Sequence, residues 1–133
     1  MNESINIVDA YIRDSIEGVY LELGDNSTLN IPPHHQECLS NYINEKVKFG
    51  IRPDFIYLAD DNDKLNTVEG QFTELQKQDN GYNLIFNIEH KLFVSKVRNK
   101  VLNANDIGKY FNVNFDTYFS HIFDHDTKMN LTI

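Results

Sequence analysis

Apolar residues recur along this chain with two spacings, and the switch between them divides it into elements. Near the start, Ile5, Val8, Ile12 and Ile16 stand three and four residues apart. That step lays apolar side chains along one face of a helix, and Gly18 follows as a stop. Ile5 and Ile7 also alternate, so a strand competes here, but the longer stripe favours the helix. From Val19 the period is two: Val19, Leu21 and Leu23 face one way, Tyr20 and Glu22 the other. Gly24-Asp25-Asn26-Ser27 is turn chemistry, and Thr28 to Ile31 returns as the second strand of a hairpin. Pro32-Pro33 ends it, with Pro33 suited to the first turn of a helix. Leu39, Tyr42, Ile43 and Val47 make the stripe of that helix, and Gly50 closes it.

Phe55 to Ala59 reads as a short strand after Pro53, followed by the loop Asp60-Asp61-Asn62-Asp63. Thr67 to Gln78 and Tyr82 to Glu89 are strands joined at Asp79-Asn80-Gly81, where Asn-Gly predicts a type I′ hairpin turn. Leu92 to Val97 adds a third strand after a tight His90-Lys91 turn. Ile107, Tyr110, Phe111, Phe115, Tyr118, Phe119 and Ile122 then return to helical spacing. They predict one long aromatic-faced helix, or two broken near Asn112-Val113-Asn114. The expected fold is a single α+β domain over residues 1–133, an antiparallel meander and hairpins packed against amphipathic helices.

Composition narrows the class. At 133 residues the chain is long enough for one core without covalent staples, and nine Phe and seven Tyr supply its bulk in the absence of Trp. The single Cys38 cannot form an internal disulfide. The opening residues lack the basic start and apolar run of a signal peptide, and no stretch of 18 apolar residues occurs. The expectation is a cytoplasmic protein without a membrane segment.

Charge supplies the strongest functional clue. Of a net −8, residues 1–37 carry −6: Glu3, Asp9, Asp14, Glu17, Glu22, Asp25 and Glu37 stand against Arg13 alone. An acidic block disfavours nucleic acid and suits a basic protein partner. Asp9, Asp14, Glu17, Glu22 and Asp25 are the expected contacts, with Tyr11 and Tyr20 as aromatic anchors. The bland alternative is a solvated acidic surface. Lys91, Lys96, Arg98, Lys100 and Lys109, interleaved with Phe93, form the one basic segment, and lysines on strand edges commonly guard against aggregation.

Chemical motifs are sparse. His121 and His125 stand four apart, a spacing repeated by His34 and Cys38; if the two segments met, a Cys-His₃ zinc site could form. A histidine near a helix C-terminus is as well explained by the helix dipole. The acidic loop fits no EF-hand register, since Lys64 or Leu65 falls at the fifth position. There is no GxSxG elbow, phosphate-binding loop or GxGxxG fingerprint. Cys38 with His34 or His121 is a conceivable nucleophile pair, yet Cys is also a common core residue.

Three functions follow in order. The first is a small acidic inhibitor, an immunity-type or anti-defence antagonist, that blocks a basic partner such as a nuclease toxin and needs no catalytic residue, cofactor or metal. The second is a small-ligand or regulatory domain with an aromatic pocket between meander and C-terminal helix. The third is a metal-dependent enzyme built on His121 and His125.

Overall fold

Ten strands, paired antiparallel in two sheets, carry the core of the computed structural model, which describes residues 5–60, 62 and 64–133. They are β1 (Asn6–Ser15), β2 (Gly18–Gly24), β3 (Ser27–Asn30), β4 (Lys46–Ile51), β5 (Ile56–Leu58), β6 (Thr67–Gln78), β7 (Gly81–Ile88), β8 (Lys91–Val97), β9 (Tyr110–Phe115) and β10 (His121–Asp124). The first sheet runs β10-β4-β1-β2-β3 and the second β5-β9-β6-β7-β8. Among the described residues, helix is confined to α1 (Pro33–Gln36), its 3₁₀ continuation Glu37–Tyr42, and three short 3₁₀ turns. The expected α+β class is therefore wrong: no amphipathic helix among these residues packs on the meander.

Each misread helix has a physical reason. Val8 and Ile12 are an even number of residues apart, so a strand places them on one face as readily as a helix does. β-branched side chains favour the extended backbone. In β1, Asn6, Ala10 and Ile12 are buried while Ile7 is exposed, and Ile16 is 96% exposed in the turn that follows. The second stripe splits at Asn44, whose φ of 67° reverses the chain. Val47 then joins Phe49 and Ile51 on the buried face of β4. The aromatic C-terminal stripe is also period two at its centre: Phe111, Val113 and Phe115 face inward, and Asn112 and Asn114 alternate with them. The supposed helix break is the middle of β9.

The hairpin of β2 and β3 and the meander β6-β7-β8 agree with the alternation read from the sequence. Their turns do not. Between β6 and β7 the two loop residues are Asp79-Asn80, and only the following Gly81 has positive φ, at 145°. A Cβ there would collide with the Val97 carbonyl oxygen, so glycine is required. The left-handed pair sits instead at Glu89 (φ 53°) and His90 (φ 67°), between the paired residues Ile88 and Lys91.

The sheets join through rings and amides. Phe115 of β9 meets Phe93 edge-on at 5.2 Å and lies 6.3 Å from Phe49 of β4. Asn6 of β1 reaches the outer edge of β8, where its side chain both donates to and accepts from the Val94 backbone. Ser95 Oγ donates to the Ile56 carbonyl at 2.6 Å, drawing the two edge strands of the second sheet together. Among the described residues, no helix is long and apolar enough to cross a membrane.

Candidate functional site, an open groove between the sheets

A groove of about 1250 Å³ lies beside the β2–β3 edge of the first sheet. One wall is Glu17 to Tyr20, Thr28 and the Asn30 to Pro33 segment. The other is built from residues 62, 64–66 and 114–118. Its first wall depends on one side chain. Gln36 Oε1 accepts from Val19 N at 2.9 Å, and Nε2 donates to Val19 O at 3.0 Å and Ile31 O at 2.9 Å. The amide thus substitutes for a neighbouring strand. Gly18 lets it approach, with φ 116° and a position where a Cβ would lie 2.6 Å from Gln36 Oε1.

Asn66 ties the walls together. Its φ is 56°, a left-handed conformation that Asn tolerates. Oδ1 accepts from Asn30 N at 2.7 Å, Nδ2 donates to Thr117 Oγ1 at 3.1 Å, and the carbonyl accepts from Phe115 N at 2.9 Å. A tyrosine and a carboxylate line each wall, Tyr20 and Glu17 on the first and Tyr118 and Asp116 on the second. Tyr118 is 62% exposed, 5.2 Å from Phe119 and 5.1 Å from the His34 ring; Phe119 stacks on Phe55 at 4.5 Å.

Of the seven partner-contact residues expected from sequence, Glu17 and Tyr20 line this groove. Asp9, Tyr11, Tyr20 and Glu22 share the outer face of the first sheet, in the registers Asp9–Lys48, Tyr11–Glu22 and Arg13–Tyr20. That same register threads bases through the acids. Asp9 lies 2.6 Å from Lys48, 4.0 Å from Lys46 and 3.7 Å from His125. Its carboxyl is held below the usual range, chiefly by the Lys48 hydrogen bond and against the opposing effect of burial. Arg13 pairs with Glu22 at 3.1 Å and lies 4.6 Å over the Tyr11 ring. Asp14 is exposed near the end of β1, and Asp25 is in the turn after β2. The acidic block is thus no uninterrupted negative face. Asp116, Tyr118 and Asn66 had no signal in the sequence as groove residues: the ring spacing assigned Tyr118 to a helix, and Asn66 falls between the acidic loop and the strand from Thr67.

The metal candidates do not assemble into a ligand set. His121 faces Asn130 at 3.2 Å; His125 contacts Asp126 at 3.3 Å, beyond the end of β10 and on no helix. His34 packs on His35 at 4.0 Å, and Cys38 Sγ donates to the His35 carbonyl. Among the described residues, no group of three or more His, Cys, Asp or Glu is placed to hold a metal ion. His35 is buried, and burial, followed by His34 and His121, pushes its pKa below the ordinary histidine value. In the acidic loop, Asp60 Oδ1 caps Asn62 N at 2.8 Å; Asp61 and Asp63 lie outside the described residues. The basic segment is partly committed within the fold: Lys91 Nζ donates to the Leu23 carbonyl and Lys109 pairs with Asp106.

No protein-family model matches this chain, and no curated protein matches it in sequence.

Proposed function

We propose that this is a non-catalytic binding protein, cytoplasmic, which antagonises a basic protein partner by covering a segment of it with the groove. The observation that carries the reading is the groove itself: open, about 1250 Å³, with Glu17, Tyr20, Asp116 and Tyr118 in its lining. Small-molecule sites are usually about 300–1000 Å³ and enclosed, so this shape suits a polypeptide segment better than a metabolite. The small interior cavity beside His35, about 10 Å³, has room for about one water and not for a ligand. The net −8 favours rapid encounter with a basic surface and makes association salt-sensitive.

A photocrosslinking amino acid placed at Tyr20 or Tyr118 tests the reading, with the exposed Tyr110 as control. The expected result is one adduct common to both groove positions, suppressed by excess unmodified protein and by high salt. Equal adducts from Tyr110 would place the contact elsewhere and sink the proposal.

A further inference from the structure

We propose that residues 129–132 form a pH-sensitive latch on β10, opened when His121 takes up a proton. β10 pairs with β4 on one side, and its other side is an edge of the first sheet. The C-terminal segment covers that edge. Asp124 N donates to the Met129 carbonyl and Leu131 N to the Ile122 carbonyl, both at 2.8 Å. Ile122 N donates to Thr132 Oγ1 at 3.2 Å.

Asn130 decides which form of His121 the closed segment accepts. Its Oδ1 accepts from Thr132 N at 2.9 Å and from Thr132 Oγ1 at 2.8 Å. A backbone N–H can only donate, so this face of the amide is the oxygen, and Nδ2 faces His121 Nδ1 at 3.2 Å. Nδ2 has only protons to offer. His121 Nδ1 is therefore the bare nitrogen of a neutral ring, and a proton there sets donor against donor. Turning the amide over to relieve the clash breaks its bonds to Thr132, the residue that holds Ile122 N. Histidine is the side chain whose charge ordinarily changes between pH 5 and 8.

Neighbouring groups add to the effect. From α1, the rings of His34 and His35 lie 4.0 Å apart. The buried His35 is depressed by desolvation first, then by His34 and His121, with a Thr132 backbone hydrogen bond opposing. Both ends of the network thus meet further imidazoles. At the start of the segment, Asp124 accepts from Thr127 N and Tyr42, His125 pairs with Asp126, and Lys128 Nζ donates to the His125 carbonyl. The Asp124 carboxyl is held below its usual range, chiefly by the Thr127 backbone hydrogen bond, so it stays ionised as the histidines titrate. Ile133, next along the chain, is fully exposed.

Hydrogen exchange of the full chain at pH 7.5 and pH 5.0 tests the latch, read as protection factors so that the intrinsic effect of acid cancels. From the higher pH to the lower, protection at Ile122, Asp124 and Leu131 is expected to fall about tenfold more than on β7. His121→Gln offers Asn130 an amide oxygen at every pH and should abolish that difference. His121 is exposed, so this variant keeps the fold. Ring ¹⁵N shifts should show His121 Nδ1 without a proton at pH 7.5. Equal falls on β10 and β7, a difference that survives His121→Gln, or a proton on Nδ1 at pH 7.5 would each overturn the proposal. So would a difference lost in His35→Gln and kept in His121→Gln, which would pass the trigger to the buried ring.

Discussion

The side-chain amide of Asn6 is bonded to the backbone of Val94 as a neighbouring strand would be. Nδ2 donates to the Val94 carbonyl at 2.9 Å, and Oδ1 accepts from Val94 N at 2.8 Å. Asn6 is buried, and its partner lies on the edge strand of the other sheet. Asn6→Ala leaves both Val94 groups without partners, at about 1–3 kcal/mol each. The expected loss is about 2–4 kcal/mol in urea denaturation. Asn6→Asp keeps the acceptor but sets a carboxylate against the Val94 carbonyl, so its penalty should grow as pH rises through the carboxyl range. An alanine variant within 0.5 kcal/mol of the parent would show that this pairing does not join the sheets.

The two hairpin turns of the meander predict opposite responses to glycine. At Gly81, φ is 145° and an added Cβ meets the Val97 carbonyl and Arg98 Cα, both backbone. Gly81→Ala should cost about 2 kcal/mol or more, since a backbone obstruction cannot rotate aside. His90 is exposed and left-handed, with φ 67°, in a two-residue turn that favours glycine. His90→Gly should stabilise by about 0.5–1 kcal/mol, the conformational relief exceeding the added freedom of the unfolded chain. Thermal denaturation of both variants decides the matter; a destabilised His90→Gly would contradict the turn geometry.

These turns also show where sequence reading ends. Strands β2, β6, β7 and β8 were legible because a polar outer face alternates with a buried one, and alternation is local information. Asn-Gly at 80–81 marked a hairpin that does form, but the left-handed pair that a type I′ turn needs lies in the next one. The left-handed pair Glu89-His90 is held partly by a contact from afar, Glu89 Oε2 accepting from Asn26 N at 2.8 Å. The helix at 5–16 and the aromatic helix after 107 failed for a different reason. Steps of four residues are even, so they satisfy both periods, and tertiary pairing with β4 and β6 decided between them. Of the groove, Glu17 and Tyr20 were legible through charge and ring type. Their convergence with Asp116 and Tyr118 depends on how the two sheets pack, which no local pattern encodes.

Two pH windows should separate in the stability curve. His35 has a depressed pKa in the folded state. Above the unfolded value of about 6.5 neither state binds its proton, and the contribution is fully present. As pH falls below that, the unfolded chain gains the proton first, so stability declines through the folded pKa. Asp9 and Asp124 are also depressed, by the Lys48 hydrogen bond and by the Thr127 backbone hydrogen bond respectively. Their contributions persist above about pH 3.9 and are lost as pH falls through the folded pKa. His35→Gln should flatten the curve below pH 6.5 and leave the acid limb; Asp9→Asn should flatten the acid limb alone. Denaturant midpoints from pH 8 to pH 2.5 would show both, and an unchanged upper limb in His35→Gln would refute the assignment.

Gln36 plays for the groove the part that Asn6 plays between the sheets, and its loss should be felt locally. Its amide satisfies Val19 N, Val19 O and Ile31 O, the groups that shape the first wall. Gln36→Glu preserves the acceptor for Val19 N but turns a carboxylate toward two carbonyls. Gln36→Ala removes all three bonds and opens space in which water can replace them. The glutamate variant should therefore be the less stable at neutral pH, by about 1–2 kcal/mol relative to alanine. Hydrogen exchange at Val19 should quicken in both variants, while amides on β7 keep their protection unless global stability is lost. A loss of protection spread evenly over both sheets would show that Gln36 supports the whole fold and not this wall.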